Sequence, residues 1–122
     1  MSKIQLDFLR HYNDAFIAPD LDFIIDNVTD DVRWEMAGES VLEGKEAFIQ
    51  SMEQMRGMDI LEMNVDDIFV SEGKGAVTGT MRTRDPSGEE YHFAFCDLYE
   101  LRGESDPKVS KLKAFVLPIK EG

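Results

Sequence analysis

The apolar residues of this chain recur at two different periods, and the switch between them limits the folds open to it. Up to Val28 the repeat is helical: Ile4, Phe8, Leu9, Tyr12, Ala15 and Phe16 follow a Ser2 to Gln5 capping spacing and predict a helix from about Lys3 to Phe16. Its opposite face carries Asp7, Arg10, Asn13 and Asp14. Pro19-Asp20 interrupts the pattern, Asp20 can cap, and Leu21, Ile24, Ile25 and Val28 predict a short second helix ending near Thr29-Asp30-Asp31. Val32, Trp34 and Met36 then alternate with Arg33 and Glu35, which is the period of a strand. Gly38 and Gly44 bracket a loop, after which Ala47, Phe48, Ser51, Met52 and Met55 predict a third amphipathic helix closed by Gly57.

From Ile60 onward the chain reads as strands. Ile60 to Val70 is β-branched and apolar with a break at Asp66-Asp67, and Gly73-Lys74-Gly75 supplies a turn. Ala76 to Arg84 alternates cleanly, Asp85-Pro86-Ser87-Gly88 is a hairpin signal, and Glu90 to Leu101 and Val109 to Leu117 complete the set around a Gly103 to Pro107 loop. Helices followed by a β-meander make an α+β pattern: three N-terminal helices packed on a curved antiparallel sheet, with an apolar cavity between the layers. No repeat, low-complexity tract or long linker divides the chain, so residues 1–122 are expected to form a single domain.

Charge narrows the partners. The chain holds 13 Lys and Arg against 25 Asp and Glu, a net −12 without a local basic run, which repels phosphate backbones and anionic lipid surfaces. Neither nucleic acid nor a membrane is an expected partner. The sequence contains no apolar stretch of the roughly 18 residues a spanning helix needs, and its start does not read as a signal peptide. With Cys96 as its single cysteine it can form no internal disulfide, which fits a reducing, cytoplasmic setting.

The strand from Glu90 to Leu101 is the most informative segment. Phe93, Phe95, Asp97 and Tyr99 share one face, and His92, Ala94, Cys96 and Leu98 the other, so both faces are largely apolar. An antiparallel sheet of a small monomer usually leaves one face polar, and a second copy of the chain is the expected cover: a homodimer. Asp97 lies among aromatic neighbours, where desolvation disfavours its ionised form, and a carboxylic acid kept neutral can donate a hydrogen bond to a ligand oxygen. Tyr12, on the apolar stripe of the first helix, is the candidate for a second hydroxyl donor in the same cavity. The ordinary alternative is that Asp97 caps a backbone group or pairs with a nearby Arg, and that Tyr12 packs as a core aromatic with its hydroxyl satisfied.

The order and spacing of several segments resemble the nuclear transport factor 2-like superfamily, specifically the SnoaL-like domains of its ketosteroid isomerase-related branch. The segments are Leu9-Arg10-His11-Tyr12-Asn13-Asp14-Ala15-Phe16, Asp30-Asp31-Val32-Arg33-Trp34-Glu35-Met36, Leu42-Glu43-Gly44-Lys45-Glu46-Ala47-Phe48, Phe95-Cys96-Asp97-Leu98-Tyr99-Glu100-Leu101 and Val109-Ser110-Lys111-Leu112-Lys113-Ala114-Phe115-Val116. The resemblance implies a cone-shaped α+β barrel of cystatin-like fold. Ketosteroid isomerases pair a helix-one tyrosine with a strand acid as an oxyanion hole, and Tyr12 and Asp97 match those positions. Their general base is an aspartate where this chain has Met36, and a thioether cannot take a proton from carbon. Glu35 is adjacent but points to the other face. The Arg and Asp pair and the last-strand Asp of limonene epoxide hydrolase-like enzymes are missing from Val77-Thr78-Gly79-Thr80-Met81 and Lys113-Ala114-Phe115. The last-strand acid of the SnoaL-type cyclases is missing from Ala114-Phe115-Val116.

Other chemistries lack their residues. His92 and Cys96 are four apart, a span of roughly 13 Å on a strand, too far to share one metal ion. No metal site, hydrolase triad, phosphate loop or cofactor is expected. Two functions stay open. One is binding of a small apolar molecule, with Trp34, Met36, Met81, Phe93, Phe95 and Leu112 as walls and Tyr12 and Asp97 as polar contacts, with or without an isomerase, cyclase or dehydratase-like step in which Asp97 is the acid. The other is a non-catalytic homodimeric protein-interaction module. A ligand-sized cavity containing Asp97 discriminates in favour of the first.

Overall fold

A computed structural model describes residues 3–17, 20–54 and 58–120. The elements run α1 (Lys3–Ile17), α2 (Leu21–Asp26), β1 (Val28–Met36), β2 (Ser40–Glu43), α3 (Lys45–Gln54), β3 (Asp59–Ser71), β4 (Lys74–Arg84), β5 (Glu90–Arg102) and β6 (Lys108–Pro118). Ser2 with its capping spacing, the Pro19 break and the Met55 to Gly57 closure of the third helix lie outside the described residues.

The strands form one six-stranded sheet in the order β2-β1-β6-β5-β4-β3. Four of its five neighbouring pairs are antiparallel, but β1 and β6 run parallel, with Trp34 opposite Leu112 and Met36 opposite Ala114. The expectation of a purely antiparallel sheet is therefore corrected: β6 returns from β5 into the slot beside β1, and a parallel neighbour needs the long connection that the intervening elements supply. The helices are not grouped at the start either, because α3 follows the β1-β2 hairpin.

Two boundaries move. Val28, read as the end of the second helix, opens β1: α2 stops at Asp26, Asn27 Nδ2 donates to the Phe23 carbonyl at 2.8 Å, and Val28 enters the sheet beside Val109. Ser40–Glu43, read as loop, pairs with β1 as β2. Asp20 caps α2 as expected, its carboxylate accepting from the Phe23 amide at 3.1 Å. The predicted break at Asp66-Asp67 is a bulge, since β3 continues through it with a register shift between Val65 and Asp67. Opposite that bulge Gly79 packs so closely that a Cβ would collide with the Asn64 carbonyl oxygen and stand 2.9 Å from Phe95 Cζ.

The core lies between the helices and the inner sheet face. Leu9, Tyr12, Ile24, Val28, Val32, Phe48, Val77 and Val109 are fully enclosed. Asn13, placed by sequence on the polar face of α1, is also buried, and its amide donates to the Leu9 carbonyl one turn earlier at 2.8 Å. That local bond removes most of the cost of burying it. The outer sheet face is different: Phe69, Leu98, Phe115 and Leu117 are exposed there, the last at 68 %. Among the described residues no helix is long and apolar enough to cross a membrane.

Candidate functional site

Alternation along β5 turns Phe93, Phe95, Asp97 and Tyr99 toward the helices. Register fixes their surroundings: Asp97 lies between Val77 on β4 and Ala114 on β6, Tyr99 is flanked by Leu112, and Phe93 by Met81. One strand further, Met36 faces Ala114 and Trp34 faces Leu112. The small side chain of Ala114 leaves space above the sheet, and α1 and α3 roof it with Asn13, Phe16, Ala47 and Met52. The result is a cavity of about 570 Å³. Its exposed lining residues, Ser40, Gln50, Gln54 and Val116, mark the mouth between the β1-β2 turn, the end of α3 and the end of β6.

All six expected wall residues, Trp34, Met36, Met81, Phe93, Phe95 and Leu112, lie in the lining together with Asp97. Tyr12 does not. Its ring is wholly buried beneath Phe8, Phe16, Phe23 and Tyr99, and its hydroxyl donates to the Ile24 carbonyl at 3.2 Å. The expectation of a cavity-facing hydroxyl from α1 is thus corrected: the apolar stripe turns Tyr12 toward α2, where the last helical turn supplies the acceptor. Burial alone raises its pKa far above the usual tyrosine value.

Tyr99 provides the hydroxyl at this site instead. It stands two residues from Asp97 on the same face, lines the cavity and takes a hydrogen bond from Asn13. Burial, with the Asp97 carboxyl nearby, holds its pKa well above the usual range. Tyr99 was legible in the alternation of β5, whereas Asn13 carried no signal beyond its place on α1.

Among the described residues Asp97 is the single carboxyl of the lining, and no Lys, Arg or His joins it. Desolvation raises its pKa to about 7, with no ion pair to lower it. Near neutral pH it can therefore give or take a proton. No second carboxyl stands at the position expected of a base: Met36 occupies the inner position on β1, and Glu35 points outward, 4.0 Å from Arg33. Among the described residues no cluster of His, Cys, Asp and Glu is placed to hold a metal ion.

A helix-roofed sheet with one buried carboxyl in a ligand-sized cavity defines a class of small α+β pocket proteins. Within that class the chain belongs to the SnoaL-like domain family, whose profile matches residues 9–108. Its fold is similar to that of an LEH-like epoxide hydrolase from M. tuberculosis (14 % identity over 95 % of this chain and 84 % of that one, TM-score 0.82). It is also similar to a nuclear transport factor 2-like protein of unknown function from Cytophaga hutchinsonii (18 %, 92 % and 98 %, TM-score 0.71). A ketosteroid isomerase-like protein from Erwinia carotovora atroseptica gives a further match (15 %, 88 % and 89 %, TM-score 0.67). At these identities the likeness is one of fold. No curated protein sequence matches the chain significantly.

Proposed function

We propose that this protein binds a small, largely apolar molecule in the cavity, with Asp97 as its polar anchor. The observation that carries the reading is a carboxyl without an ion-pair partner opening into a predominantly apolar space of about 570 Å³. A desolvated polar group of this kind gains most from a ligand that completes it. Trp34, Met36, Met81, Phe93, Phe95 and Leu112 are the walls, and the sheet curls around them as a cone. Where the bound molecule reacts, Asp97 is the acid of an isomerase, cyclase or dehydratase-like step that needs no second carboxylate. Tyr12 stays a core residue in this reading.

A second copy of the chain covers the outer face. Leu98 and Phe115 flank Cys96, and Leu117 lies beside Ala94, so the exposed side chains make one patch on β5 and β6. The homodimer is the cytoplasmic form, in a compartment where Cys96 stays a thiol. The alternative of a purely non-catalytic interaction module is supported by this patch but leaves the cavity without a use.

Native mass spectrometry of the purified protein, with calorimetric titration of adamantane-sized alcohols, ketones and amines, tests the binding. Wild type is expected to carry or take up such a molecule, and Met81→Trp, which narrows the cavity, to bind it more weakly. Absence of binding by every probe overturns the proposal.

A further inference from the structure

We propose that the cavity takes its ligand as a lipophilic ammonium ion, with the Asp97 carboxylate as counter-ion and the aromatic walls as a cage. The inference rests on the reading of the cavity as a ligand site and specifies the charge of what enters it.

Among the described residues the lining contains one ionisable acid and no basic side chain. Among the described lining residues an anionic ligand would meet Asp97 with no cation to offset either charge, which disfavours carboxylates and phosphates. A neutral ligand would use Asp97 as a single hydrogen-bond donor. A cation uses more of what is present. It forms a charge-assisted hydrogen bond with Asp97, the stronger kind of polar contact. Phe95 and Tyr99 flank Asp97 on β5, and Trp34, Phe93 and Phe16 complete the aromatic lining, so aromatic rings surround the space a positive charge would enter. The chain's net −12 also biases the mouth toward cations.

The groups that could oppose this are few. Val77 on β4, Ala114 on β6 and Asn13 on α1 are uncharged, and Tyr99 is the other titratable group among the described lining residues. Tyr99 stays protonated because burial raises its pKa, so it is a neutral hydroxyl beside the pair. Burying an ammonium alone is costly, but here the carboxyl has already lost its water, and the pair relieves both charges.

Calorimetry with three compounds of one shape tests the inference: 1-aminoadamantane, 1-adamantanol and 1-adamantanecarboxylate. At pH 8.5 the amine is expected to bind at least about tenfold more tightly than the alcohol, and the carboxylate not at all. Asp97→Asn should weaken the amine by about tenfold or more, a larger loss than the alcohol suffers. Because Asp97 titrates at about 7, amine affinity should fall roughly 30-fold between pH 8.5 and pH 5.5, while the alcohol holds or gains. Alcohol bound as tightly as amine, or tighter binding of both at low pH, overturns the ammonium assignment and leaves the cavity reading standing. Failure of both amine and alcohol to bind overturns the cavity reading with it.

Discussion

Replacing Asp97 with asparagine is expected to stabilise the protein in a pH-dependent way. Burial holds the native carboxyl at a pKa of about 7, against 3.8 for an unperturbed aspartate. Between those values the native state keeps a proton that the unfolded chain has released, so stability falls as pH rises from about 4 to about 7. At about 1.36 kcal/mol per pH unit, the cost is about 1.7 kcal/mol at pH 5 and about 4.3 kcal/mol at pH 8. The buried amide that the substitution introduces has its own cost, but that cost does not titrate. The stability of Asp97→Asn relative to wild type should therefore rise by about 2.6 kcal/mol from pH 5 to pH 8. Urea unfolding at one protein concentration measures it, read by the fluorescence of Trp34, the single tryptophan and 8 % exposed. Subtracting the two proteins cancels every other titrating group. Stability curves that stay parallel across that pH range would refute the argument, because a carboxyl that ionises at no cost is not desolvated.

Three further outcomes follow from packing. Tyr12→Phe loses the bond to the Ile24 carbonyl and should destabilise by about 1 kcal/mol without altering ligand affinity; an affinity change above about threefold would place that hydroxyl at the ligand. Gly79→Ala should lower stability by more than about 2 kcal/mol, measured by the urea midpoint, because the β3 backbone stands where the methyl must go; an unmoved midpoint would mean that the bulge yields freely. Phe115→Arg should turn the sedimenting species from dimer to monomer while cavity binding persists. A wild type that sediments as a monomer at micromolar concentration would refute the covered face.

Asp97, Trp34 and Phe95 were legible in the sequence because strand alternation sorts side chains to faces with no need of tertiary information. Tyr12 was not, because a helical stripe reveals which face is buried but not which group it meets there. The acceptor that claims its hydroxyl is a backbone carbonyl of α2, and carbonyls leave no mark in a sequence. Asn13 misleads for a related reason: its polarity points outward, yet a bond one turn back satisfies its amide and lets it sink. Ser40–Glu43 holds too few alternations to stand apart from a loop. The parallel meeting of β1 and β6 depends on a pairing between segments far apart in the chain, which no local pattern encodes.

That pairing also bears on how the molecule is made. Because β6 lies between β1 and β5, the sheet stays in two pieces until β6 is available, and Leu112 and Ala114 of the cavity floor arrive with it. Hairpins can form early from neighbouring segments, but joining the pieces needs a loop closed over most of the sequence, which slows folding. Translation consequently exposes the unpaired edges of β1 and β5 together, and the interval before β6 emerges is when the nascent chain is most open to misassociation.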